Sequence, residues 1–272
     1  MRRHASTLVT LTKSQAHPRV AVITLNDPAR LNALTERLGD AWGAVLGDLN
    51  VKDFSAVVVT GAGRAFSAGG DLDFLRARAL ASPGVNAVTM RAFYTRFLSP
   101  MRACPLPIVA AVSGPAIGAG AALATAADVR VVSPGSKIGF TFTHLGIHCG
   151  MGSSHFLPRV VGVGAAARLL LTGEVVSGVE AAAMGWGVLA GQEEGAALVQ
   201  AIDIAAKMAA GAPAAVRGIT RTLRAAGDVG LSAALEREAA EQAYCYATAD
   251  FAKGVEAVAN KKPATWDWAA AF

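Results

Sequence analysis

The chain has 272 residues, 53% of them hydrophobic, and its formal net charge is +5 at neutral pH. A chain of this length suits one large domain or one domain with an appendage, and it buries roughly three-quarters of its unfolded surface on folding. No apolar run reaches the ~20 residues of a membrane-spanning helix, and no basic run is interleaved with aromatic residues. We therefore expect neither a membrane nor a nucleic acid as a partner.

The three cysteines, Cys104, Cys149 and Cys245, form no Cys-x-x-Cys pair. An odd number of thiols without that spacing argues against a disulfide framework and a zinc site, and it favours a reducing compartment. Strand-like alternation begins by Thr7, which leaves little room for a targeting peptide. We expect a cytoplasmic protein that holds no metal, with a mitochondrial location still open.

The first two-thirds of the chain alternate between strand and helix patterns. Residues 7–12 and 19–25 alternate like two paired strands, and Thr35 precedes an amphipathic helix that runs to about residue 49. Asp71 has the position of a helix N-cap. This order predicts an α/β fold. The further predicted strands are 56–60, 107–112 and 129–132, and the further predicted helices are 86–103 and 118–126.

The last part of the chain has a different character. From about residue 191 the pattern is helical and Ala-rich, and no strand pattern returns. We predict a core over residues 1–195 and a helical region over 196–272, which packs on the α/β part or on another subunit. Its predicted helices are 195–210, 213–225, 232–247 and 250–259.

Two glycine-rich segments, residues 57–72 and 110–123, each join a buried strand to the start of a helix. Small residues let the backbone approach a ligand closely, and a helix start leaves amide N–H groups free to bind an oxygen. Two such turns on neighbouring strands can converge on one oxygen and form an oxyanion hole. Either segment alone also fits tight helix–sheet packing, and neither has the spacing of a nucleotide-binding loop.

Four segments resemble the crotonase (enoyl-CoA hydratase/isomerase) superfamily, in the right order over nearly the full chain. The resemblance implies an α/β fold with a ββα spiral core and a helical C-terminal trimerisation region, assembled as a homotrimer or as a hexamer of two trimers. It also implies that the ligand is an acyl-CoA thioester and that no cofactor is needed beyond this coenzyme A. The segments are residues 25–34 (LNDPARLNAL), 66–72 (FSAGGDL), 107–120 (PIVAAVSGPAIGAG) and 127–131 (ADVRV).

The resemblance places the oxyanion-hole donors at the backbone amides of Gly70 and Ala119. It also implies that backbone near Ala68 contacts the adenine, and that Arg30 and Lys261 meet the phosphates of the coenzyme. The other residues expected to bind substrate are Asp71, Leu72, Ile117, Gly118, Ala122 and Phe142.

Two of these positions lack the side chains that hydration requires. Hydration of an enoyl thioester needs a base for water and an acid for the α-carbon, and hydratases of this family use two carboxylates. The resemblance aligns these two carboxylates with Ala122 and Phe142, and no Asp or Glu occurs between Asp128 and Glu174. The sequence therefore predicts a poor hydratase.

The remaining candidate for proton transfer is His148, because an imidazole titrates near neutral pH. For His144 and His155, structural hydrogen bonding is the favoured interpretation. The first hypothesis is a lyase- or isomerase-type enzyme that stabilises an enolate or tetrahedral oxyanion, as in decarboxylation or slow isomerisation. The alternative is a non-catalytic acyl-CoA-binding protein. A structural oligomer without a ligand is disfavoured by the two glycine turns.

Overall fold

The computed structural model describes residues 8–226 and four later residues, Lys253, Asn260, Lys262 and Thr265. These described residues form nine strands and eight α-helices. The strands are β1 (Val9–Lys13), β2 (Val20–Leu25), β3 (Ala56–Gly61), β4 (Ile108–Val112), β5 (Ala116–Ile117), β6 (Val129–Val132), β7 (Lys137–Gly139), β8 (Val175–Ser177) and β9 (Val188–Leu189). The helices are α1 (Glu36–Gly47), α2 (Leu72–Ala79), α3 (Pro83–Ala103), α4 (Ala119–Thr125), α5 (Ser153–Thr172), α6 (Gly178–Ala183), α7 (Ala196–Ala209) and α8 (Pro213–Ala226).

The main sheet has six strands in the order β1-β2-β3-β4-β6-β9. Only the β1–β2 pair is antiparallel within it, and the other neighbours are parallel. The apolar runs of β3 and β4 are buried throughout, as expected for strands covered on both faces. Helix α1 packs on one side of the sheet together with α3, and α7 covers the other side. The predicted α/β fold is confirmed.

Helix α7 approaches the sheet through alanines spaced four residues apart. Ala197, Ala201, Ala205 and Ala209 are all buried, and they belong to one apolar cluster with residues of the sheet. Their small side chains let the helix lie close to β2, β3, β4 and β6. The first helix after residue 195 thus packs on the α/β part, and the division of the chain at 195 stays a prediction.

A second, three-stranded sheet in the order β5-β7-β8 has no counterpart among the predicted strands. Its strands are only two or three residues long, which is too short for a recognisable alternation. Ile117 pairs with Gly139 across β5 and β7. This small sheet therefore holds the second glycine-rich turn in place.

The helix predicted over 86–103 begins earlier, at Pro83, because Ser82 caps it and proline is favoured at the first helical position. The long helix α5 was not predicted, and Gly162 interrupts it with a φ of +79°.

Among the described helices none is long and apolar enough to cross a bilayer. The predicted helix 232–247 lies outside the described residues, and of the predicted helix 250–259 only Lys253, which is helical, is described.

Candidate active site

The two glycine-rich turns contact each other directly. The amide of Ile117 donates to the carbonyl of Ser67 over 3.0 Å, and Ser67 forms an isolated parallel β-bridge with Ala116. A Cβ atom on Gly120 would lie only 2.5 Å from the Ser67 carbonyl oxygen, so this close approach requires glycine. The turns are therefore packed backbone against backbone at the ends of β3 and β4.

Gly70 and Ala119, the predicted oxyanion donors, lie at this junction. Ala119 is the first residue of α4, and Gly70 precedes Asp71, the N-cap of α2. A Cβ on Gly69, the residue before Gly70, would be 3.3 Å from the Ala119 amide nitrogen, so the two turns are in close contact at these residues. Neither amide donates to an acceptor in the described part of the chain. The site thus offers two free backbone donors at neighbouring helix starts.

Asp71 caps α2 and also pairs with an arginine from the segment 25–34. Its Oδ1 accepts from the Phe74 amide over 3.1 Å, which confirms the predicted N-cap, and its Oδ2 pairs with Arg30. Asp71 is only 15% exposed, whereas Arg30 is 48% exposed. Arg30 therefore sits beside the oxyanion turn with part of its guanidinium in solvent, and its contact with a coenzyme phosphate stays a prediction.

Ala68 and Lys261 were the other predicted coenzyme contacts. The Ala68 amide donates to the Leu31 carbonyl over 2.9 Å. Its carbonyl accepts no hydrogen bond among the described residues, so it is open to a donor such as an adenine amino group. Lys261 lies outside the described residues.

Asn32 secures the first glycine-rich segment from beneath. It is fully buried, and its side-chain nitrogen donates to the carbonyls of Ala62 and Ala65 over 2.9 and 2.8 Å. Its backbone carbonyl accepts from the Ser67 hydroxyl. Its Oδ1 accepts from the Asp27 amide over 2.9 Å, so the buried side chain ties residues 25–34 to the turn. Sequence reasoning identified only the segment, not this role.

Ala122 and Phe142, the positions at which the resemblance predicts the carboxylates of a hydratase, are apolar residues of the core. Ala122 follows Ala119 by one helical turn and is fully buried, and Phe142 is 8% exposed. The Gly118 amide donates to the Gly139 carbonyl over 2.7 Å, which ties the start of α4 to the strand that leads to Phe142. The absence of acid side chains at both positions, predicted from the sequence, leaves these two groups unable to transfer protons.

A cavity of about 590 Å³ lies between α2, α3 and the loop after Phe142. It begins near the oxyanion turn, because a Cβ on Gly70 would be 3.7 Å from Leu75. Of the predicted site residues, Leu72 and His148 line it. Sequence reasoning missed most of the lining, although the spacing of Asn86, Met90 and Tyr94 marks one helix face. The lining residues are Leu72, Leu75, Arg76, Arg78, Asn86, Met90, Tyr94, Leu145, Ile147 and His148.

The Phe142 carbonyl fixes the loop that brings His148 to the cavity. It accepts from the amides of Leu145 and Ile147 over 3.0 and 3.2 Å. His148 Nδ1 lies 2.7 Å from the Cys149 carbonyl, and a carbonyl only accepts, so Nδ1 carries the proton. Nε2 is therefore the ring nitrogen left for a ligand in the cavity.

Tyr94 is a second titratable group of the cavity that sequence reasoning missed. Its hydroxyl faces Gly150, where an added Cβ would lie 2.5 Å from Oη. Burial, and then the charge of Cys149, raise the pKa of Tyr94 above its ordinary value. The phenol is thus a neutral hydrogen-bond donor throughout the physiological pH range.

His144 and His155 have structural contacts, as expected. His144 Nε2 lies 2.9 Å from the Thr172 carbonyl, and the His155 ring packs edge-on against Phe156. Neither residue lines the cavity. The described residues contain no group of three or more potential metal ligands.

The main sheet, the paired glycine turns and the adjoining cavity together define an α/β protein of the crotonase type. The enoyl-CoA hydratase/isomerase family model matches residues 15–268. The chain belongs to this family.

Relatives and solved structures resemble the chain over most of its length. A Thermus thermophilus protein provisionally named an enoyl-CoA hydratase is 37% identical over 90% of this chain and 96% of its own length. An ethylmalonyl-CoA decarboxylase of Gallus gallus is 30% identical over 83% of this chain and 76% of its own. The crystal structure of an enoyl-CoA hydratase from Polaromonas sp. JS666 matches with a TM-score of 0.87 and 27% sequence identity. The match covers 95% of this chain and 99% of that one. The crotonase fold is therefore confirmed.

Proposed function

We propose that the protein binds an acyl-CoA thioester and stabilises negative charge on its carbonyl oxygen with the amides of Gly70 and Ala119. The observation that carries the proposal is the pair of free amides at two helix starts, held together by the contact of Gly69 with the Ile117–Ala119 turn. Such preorganised donors stabilise an enolate or tetrahedral oxyanion more than they stabilise the neutral carbonyl.

The chemistry around this oxyanion hole favours a reaction that needs little acid–base help. Ala122 and Phe142 cannot activate water, so hydration lacks its usual groups. Decarboxylation of a malonyl-type thioester breaks the bond from Cα to the carboxyl carbon, releases CO₂ and leaves the electron pair as an enolate. Apolar side chains of the cavity, such as Leu72 and Leu75, destabilise the departing carboxylate relative to neutral CO₂. The ethylmalonyl-CoA decarboxylase relative is named for such a reaction.

The enolate must then take up a proton at Cα. His148 and Tyr94 are titratable groups of the cavity, and no Asp or Glu lines it within the described residues. His148 has its Nδ1 proton engaged with the Cys149 carbonyl, so Nε2 takes up and delivers the proton. The Tyr94 hydroxyl is a neutral donor in the same cavity. Slow isomerisation of an enoyl thioester would use the same groups.

The test is a panel of crotonyl-CoA, ethylmalonyl-CoA and butyryl-CoA, scored for binding and for turnover. We expect all three to bind, CO₂ to be released from ethylmalonyl-CoA, and crotonyl-CoA to be hydrated far more slowly. Hydration of crotonyl-CoA at about 1–10³ s⁻¹, the usual range for enzymes, would contradict the proposal. Tight binding of all three with no turnover would instead support the non-catalytic acyl-CoA-binding alternative.

A further inference from the structure

Arg78 is a cation on the cavity that has no counter-ion among the residues that the structure describes. Its guanidinium Cζ lies 5.0 Å from the centre of the Phe74 ring, and its Nε is buried without a hydrogen-bond partner. None of the described acidic residues pairs with it, and the cavity lining contains no acid. The neighbouring Arg76 differs, because it is largely exposed and pairs with Asp73 over 3.0 Å. Of the described arginines that line the cavity, Arg78 is the one without an acidic partner.

Asn86 holds this arginine in place from the facing helix. Its side-chain nitrogen donates to the carbonyls of Arg78 and Ala81 over 2.8 and 3.3 Å, which fixes the end of α2 against α3. Its Oδ1 is also buried and without a partner. A guanidinium carries five N–H donors. If one of them donated to Asn86 Oδ1, the other four would still need acceptors.

A charge in this position is costly unless a ligand neutralises it. Partial burial of an unpaired ion weakens its hydration, and a cation–π contact compensates only a fraction of that cost. The natural complement is a carboxylate, which a guanidinium binds through two parallel hydrogen bonds. The cavity has room for it, with a volume of about 590 Å³.

The position of Arg78 decides which part of a ligand it meets. Arg78 lies six residues after Leu72 in α2, which is roughly 9 Å further along the helix axis than Leu72. Arg78 is therefore at the end of the helix away from the oxyanion turn, which precedes Leu72. An acyl chain that enters from Gly70 passes Leu72 and Leu75 before it reaches the guanidinium. The contact therefore falls on the distal end of the acyl group.

We propose that Arg78 binds a carboxylate at the far end of the acyl chain, so that the preferred ligands are ω-carboxyacyl-CoA thioesters of medium length. This inference rests on the proposed binding of an acyl-CoA at Gly70 and Ala119. The terminal carboxylate is a recognition group, and it is separate from any carboxylate lost in the reaction. An uncharged chain of the same length leaves Arg78 unpaired and binds more weakly.

The test compares two saturated, non-reacting ligands of equal length, hexanoyl-CoA and adipoyl-CoA, by titration calorimetry. We expect the wild-type protein to bind adipoyl-CoA about tenfold more tightly or better, as for a hydrogen-bonded ion pair. Arg78→Met keeps the apolar stem over Phe74, and it should abolish this preference while changing hexanoyl-CoA affinity less than about twofold. Arg78→Lys should keep part of the preference. Arg76→Met is the matched control and should keep all of it.

Equal wild-type affinity for the two ligands would overturn the ω-carboxylate site, and so would an equal loss for both ligands in Arg78→Met. That equal loss would place Arg78 on the coenzyme or in the support of the fold. Failure of the proposed function has a different signature, because the wild-type protein would then bind neither hexanoyl-CoA nor adipoyl-CoA.

Discussion

Gly69 lies so close to Ile117 that a Cβ on Gly69 would be 2.5 Å from the Ile117 carbonyl oxygen. Gly69 also has a φ of +93°, which side-chain-bearing residues rarely adopt. Gly70 follows directly on one side of this contact, and Ala119 lies two residues beyond Ile117 on the other. The spacing of the two proposed oxyanion donors therefore depends on the absence of a side chain at residue 69.

Gly69→Ala should consequently lower the free energy of unfolding by about 1–3 kcal/mol, since it combines backbone strain with a steric clash. Denaturant unfolding measures this change. Gly47→Ala is the control, because Gly47 ends α1 and an added Cβ there meets nothing within 4 Å. Equal stability of Gly69→Ala and Gly47→Ala would show that the two turns are not held in contact.

Gly70→Pro should remove one oxyanion donor. We expect turnover of the best substrate in the panel to fall about 10²–10³-fold, as when one such donor is lost from other enzymes. Gly70→Ala is the matched control, because it keeps the amide and its Cβ would make an ordinary 3.7 Å contact with Leu75. Unchanged turnover and thioester affinity in a folded Gly70→Pro variant would refute the assignment of Gly70.

His148→Gln should lower kcat about 10²–10⁴-fold with little change in KM, if His148 transfers the proton to Cα. Glutamine keeps a hydrogen-bonding side chain of similar size but cannot take up and deliver the proton. His144→Gln is the control, because His144 contacts the Thr172 carbonyl away from the cavity. Similar kcat values for both variants would leave Tyr94 as the donor to test.

Tyr94 should make stability depend on pH in the alkaline range. Burial raises the pKa of Tyr94 in the folded protein, so below about pH 10 the phenol is neutral in both the folded and the unfolded chain. Above that pH the unfolded chain ionises first, and stability falls by up to about 1.4 kcal/mol per pH unit until the folded pKa is passed. Between pH 9 and pH 10.5, the unfolding free energy of wild type should therefore fall relative to that of Tyr94→Phe. A constant difference would contradict this.

Asp71→Ala and Asp71→Asn should separate the two roles of Asp71. Asn retains the side-chain cap on the Phe74 amide and loses only the ion pair with Arg30, which solvent screens because Arg30 is half-exposed. We expect Asp71→Asn to cost less than about 1 kcal/mol and Asp71→Ala about 1–2 kcal/mol, as measured by thermal or denaturant unfolding. Equal losses in the two variants would mean that the cap contributes nothing.

Local chemistry was enough to predict much of the fold. The apolar run of β3 and the caps Thr35 and Asp71 depend on residues within a few positions of each other, and these elements form where the pattern indicated. The resemblance of four segments then located Gly70 and Ala119, because backbone amides at helix starts need only a strand, a small turn and a helix in sequence. That Ala122 and Phe142 stand where a hydratase carries its acids also follows from the resemblance and stays a prediction.

The tertiary structure alone decided the rest of the site. Arg78, Asn86 and Tyr94 line one cavity because α3 folds back on α2, where the Asn86 side chain donates to the Arg78 carbonyl. No pattern within either helix predicts how the two helices meet. The pairing of Ile117 with Gly139 likewise joins strands too short to predict. Periodicity reports which face of an element is apolar, but not which other element that face meets. The amides of Gly70 and Ala119 could thus be named from the sequence, whereas the acyl cavity beside them required the packed chain.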